Sequence, residues 1–409
     1  MKKSNRKSRI KCVTKSLKKK QFNRSTSGIT LITLVITIIV LLILAGVSIV
    51  TLTGDNGILM QVTKEKEATE KAQELEQVQL AVISSATSNN GNISARELEK
   101  ELHLEENSLS TKGPWSYTGN KNRYFIRRNG EVYITTNTTI CKEKFWDFMN
   151  ENIPEIILFT NTGASDLSND LGTEEGEIYA WMEDTTMYIS SKELNIYIKA
   201  PEDCSYFFSS YGSNSWSKNI KEIDCSWLDT TDVIYAGFGN LAYSGMFAYL
   251  SALTRLELGD FATNKVTNMS GMFYYDSSIV SLDLSSFDTS NVTNMGYMFG
   301  ECRNIKNLNL SSFDTSKVTT MRWMFARKDI IVDLDLSSFN TANVTDMNNM
   351  FGNGFGINKI IVGKKWNTDK VTDSTNMFVN CGRLKNYNVS YVDKTYAHAG
   401  EDGYLTLKQ

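Results

Sequence analysis

The chain has 409 residues, enough for more than one domain, with 43 Lys or Arg against 46 Asp or Glu and a formal charge of −3. Only three Pro and two His occur, which excludes a proline-rich stalk and argues against His-based catalysis or zinc binding. The charge is uneven, because residues 1–28 hold eleven Lys or Arg and no acid, so the remainder is strongly acidic.

Residues 29–52, "ITLITLVITIIVLLILAGVSIVTL", carry no charge. As a helix this run reaches about 36 Å at 1.5 Å per residue, enough for a bilayer core of roughly 30 Å. A span over 29–53 is therefore expected. The basic head then reads as a topology signal rather than a nucleic-acid-binding arm, with the head cytoplasmic and the body outside. "RSTSGITLITLVITIIVLLILAGV" resembles the N-terminus of type IV prepilins and pseudopilins. The resemblance implies a leader over 1–28, cut by a prepilin peptidase between Gly28 and Ile29, with methylation of Ile29. It continues into "GDNGIL", as in pilin-like proteins of low-GC Gram-positive bacteria. Thr33 departs from the family, which places Glu at this fifth mature position to help subunits dock.

Residues 61–86 lack Gly and Pro, and Val62, Ala68, Ala72, Leu75, Val78 and Val82 fall near helical spacing. A second short helix is expected after Asn92 or Ser94, either of which suits an N-cap. "NRYFIRRNGEVYITT" reads as a hairpin around Asn129-Gly130, a pair that suits a type I′ turn. Together these predict a small pilin-like helix and hairpin module over 54–140. Residues 141–202 read as a linker and β lead-in, and 178–200 alternates as two strands.

From residue 203 the chain repeats. A terminal Phe recurs at Phe247, Phe273, Phe299, Phe325, Phe351 and Phe378, a spacing of 26 residues four times and then 27. Periods of this length mark stacked repeats. Each unit carries a Leu-x-Leu pair (Leu256/Leu258, Leu282/Leu284, Leu308/Leu310, Leu334/Leu336, then Ile360/Val362), which predicts a short strand with one buried face. A large ring follows (Phe261, Phe287, Phe313, Phe339, Trp366), then Thr, Val and a Met-x-x-Met-Phe ending. The three-residue spacing predicts a short helical return. "LDLSSFDTSNVTNMGYMF" is similar to the repeat unit of BspA-like leucine-rich repeat surface proteins. That resemblance implies a non-enzymatic surface protein, in some relatives a binder of matrix proteins or of other cells.

The fold class expected is therefore α+β: a transmembrane helix with a small pilin-like β module, then a leucine-rich-repeat-type solenoid of six turns over 203–390 and a cap over 391–409. Glu257, Asp283, Asn309 and Asp335 lie between buried strand positions and should face outward as a candidate binding surface. Tyr297 and Trp323 stand in adjacent repeats where other copies have Gly271, Asn349 and Asn376, so exposed aromatics are expected there. The Asp288, Asp314, Asn340 column and the Thr column read as turn hydrogen bonds. No phosphate loop, nucleophile elbow or metal-ligand spacing occurs, so no enzyme, cofactor or metal is expected. Of six Cys, Cys302 and Cys381 read as small buried hydrophobes.

The functional expectation is a single-pass membrane protein of the cell surface, displaying the repeats to bind an extracellular protein or surface. The alternative is a structural minor pseudopilin of a secretion or type IV pilus-like apparatus, with other pilin-like subunits as partners.

Overall fold

The computed structural model describes residues 58–120, 122–174, 176–209, 216–239, 241, 244–330 and 332–408. The chain divides into two compact units, Met1–Glu70 and Lys71–Gln409. The described part of the first is the opening of helix α1 (Ile58–Ser88).

A stretch without Gly or Pro makes α1 long, but its apolar face is shorter than the periodicity suggests. Val78, Ala81 and Val82 are buried, whereas Val62, Ala68 and Ala72 are exposed. The buried three pack with Leu98, Leu102, Trp115, Tyr124, Ile126 and Val132 in a small core. Helix α2 (Ala95–Glu101) starts at Ser94, whose side chain accepts from the Glu97 N–H.

The hairpin pairs β2 (Arg123–Ile126) with β3 (Val132–Thr139), placing Phe125 opposite Tyr133. Its turn is not type I′, which needs positive φ at both central residues. Gly130 alone is left-handed there, at φ 91°, and its N–H reaches the Arg127 carbonyl. Strand β1 (Trp115–Thr118) pairs antiparallel with β2, and β7 (Ile196–Lys199) and β9 (Leu228–Asp229) join in parallel beyond β3.

Helix α3 (Lys142–Asn152) buries Phe145, Phe148 and Met149. A second sheet has the order β10-β8-β4-β6-β5, from β4 (Ile156–Phe159), β5 (Ile178–Glu183), β6 (Thr186–Ser191), β8 (Glu222–Asp224) and β10 (Arg255–Glu257). Residues 178–200 thus form three strands rather than two. A tight turn with Asp184 at φ 52° separates β5 from β6, and a further turn sends β7 to the other sheet.

In the repeats, β11 (Ser281–Leu282) pairs in parallel with β12 (Asn307–Leu308), and β13 (Val332–Leu336) with β14 (Ile357–Val362), which β15 (Thr406–Leu407) extends. The terminal Phe rings stack from Phe247 to Phe378 with centroids 5.4–5.9 Å apart. Phe208 adds a ring before the first, and Tyr404 closes the last edge-on at 5.2 Å. A second column runs Phe261, Phe287, Phe313, Phe339.

The expected fold class requires correction on two counts. The return segments are turns, not helices, and the short strands are split among separate sheets, so the described residues are mostly strand and turn with few helices instead of a regular strand-and-helix solenoid. The backbone hydrogen bonds give the reason. In 269–275 alternate N–H groups leave the segment: Met269, Gly271, Phe273 and Tyr275 donate to the carbonyls of Asn294, Gly296, Met298 and Gly300 in the next repeat. The intervening Met272 and Tyr274 close three-residue turns onto Met269 and Gly271. A helix would need every N–H within the segment.

Second, among the described residues no helix is long and apolar enough to cross a membrane, which removes the support for a single-pass membrane protein. The span expected at 29–53 lies outside the described residues, as do Gly28, Ile29 and Thr33.

Candidate binding surface

Glu257, Asp283, Asn309 and Asp335 stand one per repeat and all four are exposed. Glu257 lies within β10 and Asp335 within β13, while Asp283 and Asn309 directly follow β11 and β12. Each also does local work. Their side chains accept from the N–H two residues on: Gly259 at 3.3 Å, Ser285 at 3.0 Å, Ser311 at 3.1 Å and Ser337 at 3.0 Å. This is the turn chemistry of short polar side chains. Hydrogen bonds from the Ser285 side chain and N–H hold the Asp283 carboxyl below the usual carboxylate range. Burial pushes Asp335 upward, but Ser337 and Lys408 outweigh it and hold it low. Lys408 Nζ sits 2.9 Å from Asp335 Oδ2, so this end of the acidic row is neutralised.

Tyr297 and Trp323 are half-buried and stack on each other, with centroids 6.2 Å apart and planes 20° apart. Tyr274 meets Tyr297 edge-on at 5.9 Å, and the Arg322 guanidinium carbon lies 5.7 Å from the Tyr297 ring centre. Arg322 Nη1 is also 3.7 Å from Asp346 Oδ2. The aromatics therefore form one ledge with Arg322 rather than separate platforms.

The backbone beneath the ledge is unusual. Tyr297 and Trp323 are left-handed, at φ 62° and 56°. The same register holds Gly271 at 64°, Asn349 at 51° and Asn376 at 56°. Gly and Asn tolerate this conformation, whereas large side chains are strained in it. Four residues on runs a second left-handed column of Tyr249, Tyr275, Glu301, Arg327, Asn353 and Asn380. Sequence reasoning missed this column, although Asn353 and Asn380 at the repeat period were its signal. It brings a nearly buried Glu301 carboxylate between Arg303 at 2.8 Å and Arg327 at 3.0 Å, beside the ledge residue Tyr274.

Asp288, Asp314 and Asn340 accept from the N–H groups of Ser290, Ser316 and Ala342, as turn residues do. Among the described residues no group of three His, Cys, Asp or Glu is placed to hold a metal. Cys141, Cys204, Cys225, Cys302 and Cys381 are all free thiols, and all but Cys141 are buried.

Two overlapping stretches, residues 241–331 and 302–399, match a family described as a Mycoplasma protein of unknown function, DUF285. They cover the repeats that carry the aromatic ledge. The chain is thus similar, over this part, to surface-associated repeat proteins. No curated protein and no solved structure matches it.

Proposed function

We propose that this chain is a non-enzymatic recognition protein that binds another protein or a cell surface through its repeats. The contact centres on Tyr297, Trp323 and Arg322, with the exposed row Glu257, Asp283, Asn309 and Asp335 as a separate candidate surface of the same repeats. The left-handed aromatics carry the reading. A bulky residue in that conformation costs on the order of 1–3 kcal/mol, and such strain concentrates at binding sites. Neighbouring repeats relieve it with Gly or Asn, while these two keep half-exposed rings there. Aromatic and Arg side chains together are also the usual anchors of protein interfaces.

The test is binding of the labelled full chain to intact cells, competed by unlabelled chain. Tyr297→Asn and Trp323→Asn place at each position the residue that Asn349 and Asn376 occupy elsewhere, so the fold is retained. Loss of competable binding in both, with thermal melting still cooperative, is expected. Binding equal to the parent chain would overturn the assignment.

Placement of the protein by a prepilin-like route, with prepilin peptidase cutting between Gly28 and Ile29 and other pilin-like subunits as neighbours, is part of the same proposal. The prepilin-like residues of the leader support it. The N-terminal sequence and mass of the protein from its native cells test it: a chain beginning at methylated Ile29 is expected, and one beginning at Met1 removes this route.

A further inference from the structure

One register position, three residues after each terminal Phe, points into the stack. It is occupied in turn by Leu250, Asp276, Cys302, Lys328, Gly354 and Cys381, and apart from Gly354 each of these side chains is buried. A common bond recurs along it. The Cys302 thiol donates to the Phe273 carbonyl at 2.8 Å, and the Cys381 thiol to the Phe351 carbonyl at 3.1 Å. The Lys328 ammonium donates to the Phe299 carbonyl and, at 3.1 Å, to that of Cys302. In each case the side chain is a donor to the terminal Phe of the preceding repeat.

Asp276 holds the same place relative to Phe247. Its Oδ1 accepts from the Leu250 N–H at 3.0 Å, and its Oδ2 is buried with no hydrogen-bond partner among the described residues. An ionised carboxylate cannot donate, and leaving one buried and unpaired is expensive. We infer that Asp276 is a neutral carboxylic acid whose Oδ2–H donates to the Phe247 carbonyl, and that its ionisation makes this repeat junction the alkali-sensitive point of the stack.

Apart from the Leu250 N–H on Oδ1, the column offers little to stabilise a negative charge. The preceding repeat presents Leu250 and the following one the Cys302 thiol. The column's one cation, Lys328, is two repeats away with its protons given to backbone carbonyls. Burial pushes the Asp276 carboxyl well above the usual range, only partly offset by the Leu250 N–H. The sign follows from linkage. Between the unfolded and folded pKa values the unfolded chain has lost the proton and the folded chain keeps it, so this group makes stability fall as pH rises.

The test is infrared difference spectroscopy of the full chain at pH 7, parent minus Asp276→Asn, with melting curves of both across pH 4–8. Asn keeps the Oδ1 acceptor and supplies a permanent donor to Phe247. A protonated-carboxyl stretch present in the parent and lost in the variant is expected, with the parent's melting temperature falling relative to the variant's as pH rises. Asp276→Leu, which copies Leu250, serves if the Asn variant does not fold. No protonated-carboxyl band at pH 7, or parallel melting profiles, would overturn the inference.

Discussion

The Thr289 hydroxyl makes two bonds to one residue of the next repeat: it donates to the Asp314 carbonyl at 2.9 Å and accepts from the Asp314 N–H at 2.9 Å. Thr263 does the same to Asp288, Thr315 to Asn340 and Thr341 to Asn367. A buried hydroxyl thus replaces one missing rung of the backbone ladder at these four repeat junctions. Thr289→Val keeps the shape and strands both backbone groups, each costing about 1–3 kcal/mol when left unpaired. A loss of about 2–4 kcal/mol in urea denaturation is expected, and Thr289→Ser should retain most of it. Equal stability of the Val variant would show that another group satisfies Asp314.

The left-handed columns make a separate prediction. Asn376 is exposed at φ 56°, so its substitutions report backbone conformation more than packing. Asn376→Gly should leave the melting temperature almost unchanged. Asn376→Val should lower stability by about 1–2 kcal/mol, because a side chain branched at Cβ meets the following carbonyl in that region. The same change in both variants would contradict the assigned conformation.

Much of this was legible in the residues. The recurring Phe from Phe247 to Phe378 marked the buried column, because a period that places a large ring at one register stacks those rings when units stack. The Asp288, Asp314 and Asn340 turn positions followed from local side-chain chemistry, but the Thr column did not, because its hydroxyls bond the next repeat instead of their own turn. The return segments did not, because Val-x-x-Met-x-x-Met-Phe spacing suits a helix as well as a chain whose alternate N–H groups leave for the next repeat. Periodicity records which side chains face inward, not where the backbone bonds go. The ledge was half legible: Tyr297 and Trp323 stood out against Gly271, Asn349 and Asn376, but their contact with Arg322 and Tyr274 depends on the rise between repeats. Helix α1 shows the opposite failure, where Ala68 and Ala72 keep an apolar rhythm yet are exposed.

Within Lys71–Gln409, α1 is tied to the first sheet through Glu74. Its carboxylate accepts from the Tyr124 hydroxyl at 2.7 Å, the Asn120 N–H at 2.5 Å and Asn122 Nδ2 at 3.1 Å. Tyr124 is fully buried, so losing the acceptor leaves its hydroxyl unpaired. Glu74→Ala should cost about 2–3 kcal/mol, the scale of hydrogen bonds to a charged group. Tyr124→Phe in the Glu74→Ala background should restore part of that loss, because it removes the orphaned hydroxyl. Hydrogen exchange across Arg123–Ile126 measures both, and no change in exchange on Glu74→Ala would refute the tether.

Asp232 sets an acid limit opposite in sign to Asp276. Burial raises its pKa, but Lys265 at 2.8 Å, Arg123 at 2.9 Å and Lys199 at 3.3 Å overcome that and bring it to about 2, from an ordinary 3.8. A depressed carboxyl stabilises the fold fully above its unfolded pKa, and that stabilisation is lost as pH falls through the folded one. The window is therefore about pH 4 to pH 2. At about 1.4 kcal/mol per unit, the contribution at neutral pH is on the order of 2 kcal/mol. Asp232→Asn should lose at least that much at pH 7, because three cations then crowd a neutral amide, and its urea midpoint should change less than the parent's between pH 4 and pH 2. Parallel acid profiles for parent and variant would show that the cluster contributes nothing through Asp232.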